Sequence, residues 1–345
     1  MSFRKSRQTF KVTKMFTPEQ INFLVRKGLM SLDFNKEPQN LYEPMGYMLG
    51  LGGKYLRPRL CLSAFSLFSD DITDEILYPA VALEIFHEFT LIHDDIMDNS
   101  PTRRNQPTVH SRWNDNIAIL SGDAMSIMAY RYLALCPRER LQDVLKLFSD
   151  MAMEVCEGQQ KDMDFEEQPF VTMDEYLDMV GQKTGALIAC SAAMGALLAG
   201  AGEEKVKALY DYGYNTGLAF QITDDYLDTF GDPVTFGKPI GGDIANNKKS
   251  WLLTRALEKL SCKEALLKAM DLPVGTADER AAKIAAVRAI YDAAGVGDDA
   301  RAEVRRLSDC ALAAIRGLDA ATGHSGDAAY RRLADFADRL VSRAK

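Results

Sequence analysis

Apolar residues recur with the spacing of an α-helix along almost the whole chain, and the alternation typical of strands is nearly absent. The longest periodic segments are Glu19 to Leu32, Ile76 to Met97, Ala118 to Leu133, Leu141 to Met153, Glu175 to Leu198 and Lys205 to Leu227. Turn-forming residues separate them, at Gly52-Gly53, Ser100-Pro101, Gly231-Asp232-Pro233, Gly237 to Gly242 and Thr322 to Gly326. The pattern predicts an all-α fold.

No long polar linker interrupts this periodicity, so we expect one large domain over residues 1–345, big enough to bury a sizeable core. Residues 52–251 carry the motifs with chemical potential, and the Ala-rich residues 277–345 have the pattern of amphipathic packing helices. The most apolar segment, Gly185 to Ala201, is short for a membrane span and rich in small residues. We expect it to be a helix in a crowded core, and we expect no transmembrane segment.

The charge balance and the cysteines narrow the possible functions. A net charge of -8 argues against nucleic-acid binding, which would need a basic face. The basic start of the chain has no apolar segment behind it, so it lacks the pattern of a secretory signal and is expected to be solvated. Six scattered cysteines without a C-x-x-C pair are typical of reduced thiols in a cytoplasmic protein, not of a disulfide framework or a zinc site.

One acidic pattern occurs twice, as Asp94-Asp95-Ile96-Met97-Asp98 (the first aspartate motif) and Asp224-Asp225-Tyr226-Leu227-Asp228 (the second aspartate motif). On a helix the outer aspartates of each motif lie on one face, where their like charges repel. Mg²⁺ favours carboxylate oxygen and usually takes substrate phosphates as further ligands. Either copy alone could be solvated surface. Two copies within apolar sequence favour a magnesium site.

Cations that could bind phosphate occur near both motifs. They are Lys54, Arg57, Arg103, Arg104, Lys183, Lys238 and Lys248. Arginine's planar fork suits bidentate phosphate binding, and Gly52-Gly53 would let the backbone approach an anion. Each cation taken singly could instead be a surface charge. His87, seven residues before Asp94, lies on nearly the same helical face, where it is either a donor to the same site or a satisfied core histidine.

The chain resembles the trans-isoprenyl diphosphate synthases through ordered motifs between Gly52 and Trp251. These motifs are GGKYLRP, HEFTLIHDDIMDNSPTRRNQPTVH, GQQKD, KTGAL, QITDDYLDTFGD and GKPIGGDIANNKKSW. The resemblance implies a bundle of antiparallel helices around a deep central cavity, the isoprenoid synthase fold, usually as a homodimer. It also implies the head-to-tail trans condensation of isopentenyl diphosphate with an allylic diphosphate.

The resemblance assigns roles position by position. Asp94, Asp98 and Asp224, supported by Asp95, Asp225 and Asp228, would hold a cluster of about three Mg²⁺ ions on the allylic diphosphate. Arg103, Lys183 and Lys238 would contact that diphosphate, with Lys248 closing the site. Lys54, Arg57, His87 and Arg104 match the isopentenyl diphosphate pocket. Thr184 and Gln221 match positions that bracket the reacting carbons, and Gln159 and Asp162 match a polar pair at the cavity mouth.

Two local features qualify the resemblance. The family usually has glycine after the paired arginines, whereas Asn105 stands here, and asparagine tolerates the left-handed backbone that such a turn requires. Phe89 and Thr90 precede Asp94 by five and four residues, where bulk limits product length. A single aromatic resembles enzymes that stop near geranylgeranyl (C20), and two adjacent aromatics would suggest farnesyl (C15). Alternatively, Phe89 is merely a core residue.

Other activities remain possible. A longer-chain polyprenyl diphosphate synthase would share every motif. A class I terpene cyclase would normally carry Asn/Asp, Ser/Thr and Glu ligands at its second metal site, and it would have no use for Lys54, Arg57 and Arg104. A non-catalytic subunit that binds prenyl diphosphate would typically have lost acidic ligands, and this sequence has lost none.

Overall fold

The computed structural model describes residues 16–232, 240–321 and 324–343. The basic N-terminal segment and residues 237–239 of the loop from Gly237 to Gly242 lie outside these ranges. In the described ranges the helices are α1 (Pro18–Met30), α2 (Gln39–Gly50), α3 (Leu56–Phe65), α4 (Asp74–Met97), α5 (Val109–Arg112), α6 (Asp115–Leu133), α7 (Leu141–Glu166), α8 (Met173–Val180), α9 (Ala186–Leu198), α10 (Glu203–Phe230), α11 (Gly242–Ala245), α12 (Trp251–Lys259), α13 (Glu264–Met270), α14 (Ala277–Ala294), α15 (Val296–Ile315) and α16 (His324–Arg343).

The predicted all-α class is confirmed, with three local differences. The helix expected to end at Met153 continues to Glu166, because polar residues dilute the apolar pattern over its second half. The segment expected as one helix from Glu175 to Leu198 contains a π-turn, Gly181–Gly185, between α8 and α9. A minimal antiparallel hairpin, β1 (Thr102–Arg103) and β2 (Gln106–Pro107), follows the predicted break at Ser100-Pro101.

Capping residues explain where several helices begin. Thr17 and Gln20 form a capping box at the start of α1, in which each side chain bonds the other residue's backbone N–H. The same arrangement starts α8 with Thr172 and Glu175, and α14 with Thr276 and Glu279. These local bonds satisfy backbone donors that a helix start leaves open.

The chain divides by its internal contacts into two compact units. The first comprises the described parts of Met1–Ser149, Ser191–Leu209 and Leu318–Leu333. In it α4 packs along α6, where a side chain on Gly122 would meet His93 Nε2 at 2.4 Å. Phe86 and Phe148 pack edge to face in its core, with ring centroids 5.0 Å apart. The single domain expected from the sequence stays a prediction.

The second unit comprises the described parts of Asp150–Cys190, Tyr210–Gly317 and Ala334–Lys345. Its core joins aromatic and aliphatic side chains from α8, α10, α12, α14 and α15. Tyr176, Trp251 and Tyr291 are the large aromatic members, each at most 4% exposed. This core fixes the part of α10 that carries the second aspartate motif.

Helix α9 covers most of the most apolar segment of the sequence. Ala192, Ala193 and Ala196 are fully buried, as expected for a helix in a crowded core. A side chain on Gly195 would lie 2.1 Å from the carbonyl oxygen of Cys61, so only glycine permits this approach. Across the residues that the structure covers, no helix is both long and apolar enough to cross a membrane.

Candidate active site

The first aspartate motif occupies the C-terminal end of α4. The Asp94 side chain is 22% exposed and Asp95 only 1% exposed, while Asp98 is an exposed C-cap residue. As predicted, Asp94 and Asp98 lie on one face of the helix, and Asp95 points away from that face into the interior. Asp98 is therefore open to solvent, Asp94 is partly exposed with its Oδ1 buried, and Asp95 is enclosed.

Arg103 neutralises the inner carboxylate. Its Nε donates to both oxygens of Asp95 at 2.8 and 2.9 Å, and its Nη2 lies 2.8 Å from Asp95 Oδ1 and 3.4 Å from Asp94 Oδ2. Burial raises the pKa of the Asp95 carboxyl, and the arginine opposes that rise. Arg103 thus bridges the hairpin to the end of α4, with its side chain 24% exposed.

A two-residue turn presents Arg104. Thr102 pairs with Pro107 and Arg103 with Gln106, so Arg104 and Asn105 form the turn, with φ angles of 52° and 60°. Positive φ at both positions is the pattern of a type I′ turn. Asn105 adopts the left-handed conformation that asparagine tolerates. For arginine the same conformation is uncommon.

Beneath the turn lies a group that we call the Arg–Glu cluster: Arg57, Glu84, His87, Glu88 and Arg104. Arg104 Nη2 donates to Glu88 Oε1 at 2.9 Å, and its Nη1 lies 3.5 Å from Oε2. Glu84 and Glu88 are 2% and 1% exposed and stand one helical turn apart on α4. Within the described residues, Arg57 Nε and Glu84 Oε2 are buried without a hydrogen-bond partner.

Burial and mutual charge set the protonation of this cluster. Burial, with the nearby Glu88, raises the pKa of Glu84 to about 7, although Arg57 and Arg104 pull it down. Burial also raises the pKa of Glu88, against the hydrogen bond and charge of Arg104. The pKa of His87 falls well below its usual value because of burial and the charges of Arg57, Arg104 and Arg103. His87 is therefore a neutral imidazole.

The glycine loop before α3 reaches the same cluster. Gly52 has φ of 73°, and Tyr55 starts α3 from a left-handed conformation with φ of 49°. A side chain on Gly53 would lie 3.4 Å from Arg104 Nη2. Lys54 is exposed, and its carbonyl oxygen accepts a hydrogen bond from Arg59. The structure thus brings Arg57, His87 and Arg104 together and leaves Lys54 at the rim.

Phe89 and Thr90 lie one to two turns before Asp94 on α4. The Phe89 ring packs edge to face on Phe86 and His93, with centroids 5.2 and 4.9 Å away. Thr90 Oγ1 donates to the carbonyl oxygen of His87 at 2.8 Å. His93 Nε2 also lies 3.1 Å from the carbonyl oxygen of Ile119. The half-buried Phe89 is therefore held in place by neighbouring rings.

The second aspartate motif encloses its inner member by other means. Asp225 is 2% exposed, and its Oδ2 accepts hydrogen bonds from Tyr176 Oη at 2.7 Å and from the Trp251 backbone N–H at 2.8 Å. Its Oδ1 accepts from Gln221 Nε2 at 3.0 Å. Burial and the adjacent Asp225 charge raise the pKa of Tyr176 well above its usual value, so the phenol remains a donor.

The outer members of this motif, Asp224 and Asp228, are only half-buried. Asp228 accepts from the backbone N–H groups of Gly242 and Asp243 at 3.2 and 2.9 Å, and so caps α11. Burial raises the pKa of Asp228, and these two bonds oppose the rise. The exposed Lys248 lies 4.0 Å from the Asp243 carboxylate. Lys238 lies outside the described residues.

The π-turn between α8 and α9 carries Lys183 and Thr184. Lys183 Nζ lies 2.6 Å from Asp162 Oδ2 on α7, and Thr184 Oγ1 donates to Gln221 Oε1 at 3.2 Å. A side chain on Gly158 would come within 2.3 Å of the Lys183 backbone nitrogen, so α7 passes very close. Gln159, next to Gly158, is half-buried on the same helix. π-Turns frequently mark functional sites.

Several functional candidates had no motif to reveal them. Glu84 and Glu88 repeat the four-residue spacing of the aspartate motifs inside an apolar segment, and this signal could have identified them. Tyr176 and Trp251 bond Asp225 from sequence positions 49 and 26 residues away, and no local pattern announces such contacts.

The carboxylates of the two motifs suit magnesium bound together with substrate. Among the described residues, no group of three or more His, Cys, Asp or Glu is gathered tightly enough to hold a metal ion. Mg²⁺ usually binds proteins through one or two carboxylates and completes its shell with water and substrate phosphate. The exposed Asp98 and the partly exposed Asp94 and Asp224 fit that mode of binding, which needs no closed protein cage.

Known proteins identify the family. The polyprenyl synthetase family matches residues 38–291. A short chain isoprenyl diphosphate synthase of Methanocaldococcus jannaschii is 44% identical over 221 residues, which are 64% of this chain and 67% of that protein. A geranylfarnesyl diphosphate synthase of Natronomonas pharaonis is 35% identical over 328 residues, covering 90% of this chain and 92% of the relative.

A solved structure agrees with these relatives. A crystal structure of a geranylgeranyl pyrophosphate synthase superposes with a TM-score of 0.89 at 39% identity, covering 95% of this chain and 99% of that one. The chain belongs to the polyprenyl synthetase family. It is a prenyltransferase that elongates prenyl diphosphates.

Proposed function

We propose that the chain catalyses the magnesium-dependent head-to-tail trans condensation of isopentenyl diphosphate with an allylic diphosphate, giving a short-chain prenyl diphosphate. The observation that carries this proposal is the internal arrangement of each aspartate motif, considered separately. In each motif the outer aspartates are exposed or partly exposed, and the buried inner carboxylate fixes the local structure. Accessible carboxylates beside arginines and lysines suit a metal-bound diphosphate.

The Arg–Glu cluster supports a second diphosphate site, for isopentenyl diphosphate. Arg57 has a buried Nε without a partner among the described residues, and Arg104 keeps donors that Glu88 does not use. His87 is neutral and can donate one N–H, and Lys54 stands at the rim. These groups complement a diphosphate and leave the isoprene carbons to apolar neighbours.

Magnesium would be held by Asp94, Asp98 and Asp224. When bound it would neutralise the allylic diphosphate leaving group. Arg103, Lys183 and Lys248, together with Lys238 from outside the described residues, would bind the oxygens of the same diphosphate. Asp95, Asp225 and Asp228 act by holding the backbone and arginine partners in position. The number of ions, about three, remains part of the proposal.

The reaction follows from this charge arrangement. The allylic C–O bond breaks, its electron pair leaves with the diphosphate, and an allylic cation remains. The isopentenyl double bond forms the new C–C bond to that cation, and the proton lost afterwards passes to the released diphosphate. Electrostatic stabilisation of the leaving group supplies most of the catalysis. Thr184 and Gln221, hydrogen-bonded to each other, offer oxygen dipoles near the reacting carbons, and apolar walls exclude water.

A product-length assay tests the proposal. The purified chain is incubated with Mg²⁺, isopentenyl diphosphate and, separately, dimethylallyl, geranyl or farnesyl diphosphate, and the dephosphorylated products are separated by chromatography. Discrete C15 or C20 alcohols are expected, and chelation of the metal should abolish them. Cyclic hydrocarbons would indicate a terpene cyclase, binding without extension would indicate a non-catalytic subunit, and products beyond C25 would indicate a long-chain synthase.

Product length is proposed to depend on Phe89. Its ring is fixed between Phe86 and His93, so it can act as a rigid stop for a growing chain. Phe89→Ala should lengthen the main product by at least one isoprene unit, whereas Phe23→Ala, at a 67% exposed position on α1, should leave it unchanged. An unaltered product distribution in Phe89→Ala would make Phe89 an ordinary core residue.

We also propose a homodimer. Ile119, Leu120 and Ile127 are 43%, 59% and 63% exposed on α6 and form an apolar row that a second copy could cover. Light scattering coupled to gel filtration should give twice the chain mass, and Leu120→Glu with Ile127→Glu should give the monomer mass. A monomeric wild type would refute this.

The proposed compartment is the cytoplasm. None of the six cysteines is in a disulfide, and Cys61, Cys136 and Cys190 are buried as thiols, which suits a reducing environment. Cell fractionation should recover the protein with cytoplasmic markers, and recovery from an oxidising compartment would contradict the assignment.

A further inference from the structure

Glu88 is a buried carboxylate to which the reaction described above gives no task. It follows His87 on α4, its side chain is 1% exposed, and its closest charged partner is Arg104, with Nη2 2.9 Å from Oε1. A charged side chain is rarely enclosed to this extent unless it is paired. Its partner belongs to the isopentenyl diphosphate site proposed above, so the function of Glu88 should be sought there.

We propose that Glu88 is a positioning residue that holds the Arg104 guanidinium where it binds the diphosphate of isopentenyl diphosphate. The inference rests on the proposed function. It adds a residue that does not itself touch the substrate.

The backbone of Arg104 explains why positioning is needed. Arg104 is the first residue of a two-residue turn and has φ of 52°. Most residues other than glycine and asparagine rarely adopt this conformation. Residues at turn tips are generally mobile unless something anchors them. The ion pair with Glu88 on α4 supplies such an anchor. Gly53 limits the guanidinium on another side, because a Cβ atom added to Gly53 would lie 3.4 Å from Arg104 Nη2.

The geometry favours positioning over competition with the substrate. Glu88 bonds Nη2 and lies 3.5 Å from Nη1, whereas a guanidinium has five N–H donors. The Arg104 side chain is 28% exposed and Glu88 only 1%, so the carboxylate holds the inner edge and the outer edge stays available to an anion. Glu88 also offsets charge repulsion between Arg57 and Arg104, both of which face it.

The test measures KM for each substrate separately, together with calorimetric binding of isopentenyl diphosphate alone. In Glu88→Gln we expect KM and Kd for isopentenyl diphosphate to rise about tenfold, because misplacement of a binding group is costly. KM for the allylic diphosphate should stay within about twofold. Glu88→Asp keeps the charge but shortens the side chain, and it should show a smaller rise. Glu75→Gln, an exposed substitution on the first turn of α4, is the control.

A double-mutant cycle separates positioning from a general structural effect. In an Arg104→Gln background, Glu88→Gln should produce no further rise in Kd, since its target is gone. A persisting rise, or an equal rise in KM for both substrates, would assign Glu88 a structural role and overturn the inference. An unchanged or tighter Kd in Glu88→Gln would overturn it as well. If Glu88→Gln does not fold, Glu88→Asp decides by the same criteria.

The proposed function and this inference fail in distinguishable ways. A wild-type chain that forms no elongated product refutes the proposed function. An active wild type whose Glu88 variants bind isopentenyl diphosphate normally refutes only the role of Glu88.

Discussion

The two aspartate motifs have the same sequence pattern but compensate their buried inner carboxylates differently. Asp95 is matched by the charged guanidinium of Arg103, which comes from the neighbouring hairpin and is 24% exposed. Asp225 is matched by neutral donors, the Tyr176 hydroxyl, the Trp251 N–H and the Gln221 amide, within a closed core. The buried carboxylate is therefore paired with a charged group where water reaches that group, and with neutral hydrogen-bond donors where it does not.

The comparison also separates two tasks within each motif. The inner aspartate fixes the helix relative to its neighbours, and Asp228 does the same for α11. The other outer aspartates, Asp94, Asp98 and Asp224, are those proposed to bind a metal-bound substrate. Substitutions of outer residues should therefore affect activity, and substitutions of inner residues should affect stability.

The largest expected effect is on catalysis. Asp94→Asn and Asp224→Asn should each lower kcat/KM at least about 100-fold, because each removes a proposed metal ligand. Their melting temperatures should stay near that of the wild type, since both side chains are partly exposed. Asp143→Asn, at an exposed position in the first turn of α7, is the control. Near-normal turnover in either variant would remove that motif from the metal site.

The next effect is on folding. Asp225→Ala should lower the free energy of unfolding by about 4 kcal/mol, because it leaves three donors without their acceptor in a closed core. Asp95→Ala should cost about 2 kcal/mol, since Arg103 can still be hydrated. Urea unfolding at low and high salt measures both. High salt should shrink the Asp95 effect and leave the Asp225 effect intact, and the opposite ranking would reject the ionic-versus-neutral distinction.

The pH dependence of stability tests whether the negative charge of Glu84, in the first unit, has weaker hydrogen-bond and charge partners than the charge of Asp225. Its pKa of about 7 in the folded chain exceeds the usual 4.5, because of burial and Glu88, against Arg57 and Arg104. The folded state thus holds this proton more tightly, and the associated stability is lost as the pH rises from about 4.5 to 7.

Glu84→Gln should therefore be more stable than the wild type by about 2 kcal/mol at pH 8 and about equal to it near pH 4.5. Unfolding by urea at the two pH values gives the comparison. A variant equally stable or less stable at pH 8 would show that Glu84 is well compensated after all.

The smallest effect concerns one neutral donor. Tyr176→Phe removes the hydroxyl that bonds Asp225 and should cost about 1 kcal/mol, because two other donors remain. Tyr130→Phe, which loses only a bond to the Ser149 hydroxyl, should cost less. A loss in Tyr176→Phe as large as that in Asp225→Ala would mean that the phenol alone holds the carboxylate.

Local signals made much of the fold predictable. The period of the apolar residues gave α4, α6 and α10 to within three residues at each end. Sequence also indicated that Asp94 and Asp98 share a helical face and that Asn105 tolerates a left-handed turn conformation, since both depend on neighbouring residues alone.

Other features depend on tertiary contacts and left no local pattern. The π-turn at Gly181–Gly185 follows from the close passage of Gly158 and Tyr214, which lie 27 and 29 residues from Gly185 in the sequence. The second half of α7 is too polar for its period to be recognised. The roles of Tyr176 and Trp251 required knowing which groups meet Asp225. The pairing of Glu88 with Arg104 required the hairpin, whose strands are only two residues long.

The π-turn has a consequence for how this segment can change over time. A turn that closes between residues five apart holds one residue more than the α-helical pattern needs. Deleting a single residue there would let the helix continue as regular α-helix with α8 and α9 near their present orientations, because the wider turn absorbs the extra residue. Lys183 and Thr184 lie inside the turn, and they could not both keep their present directions after such a deletion. A change of length would therefore be felt at these two side chains, while the flanking helices would tolerate it.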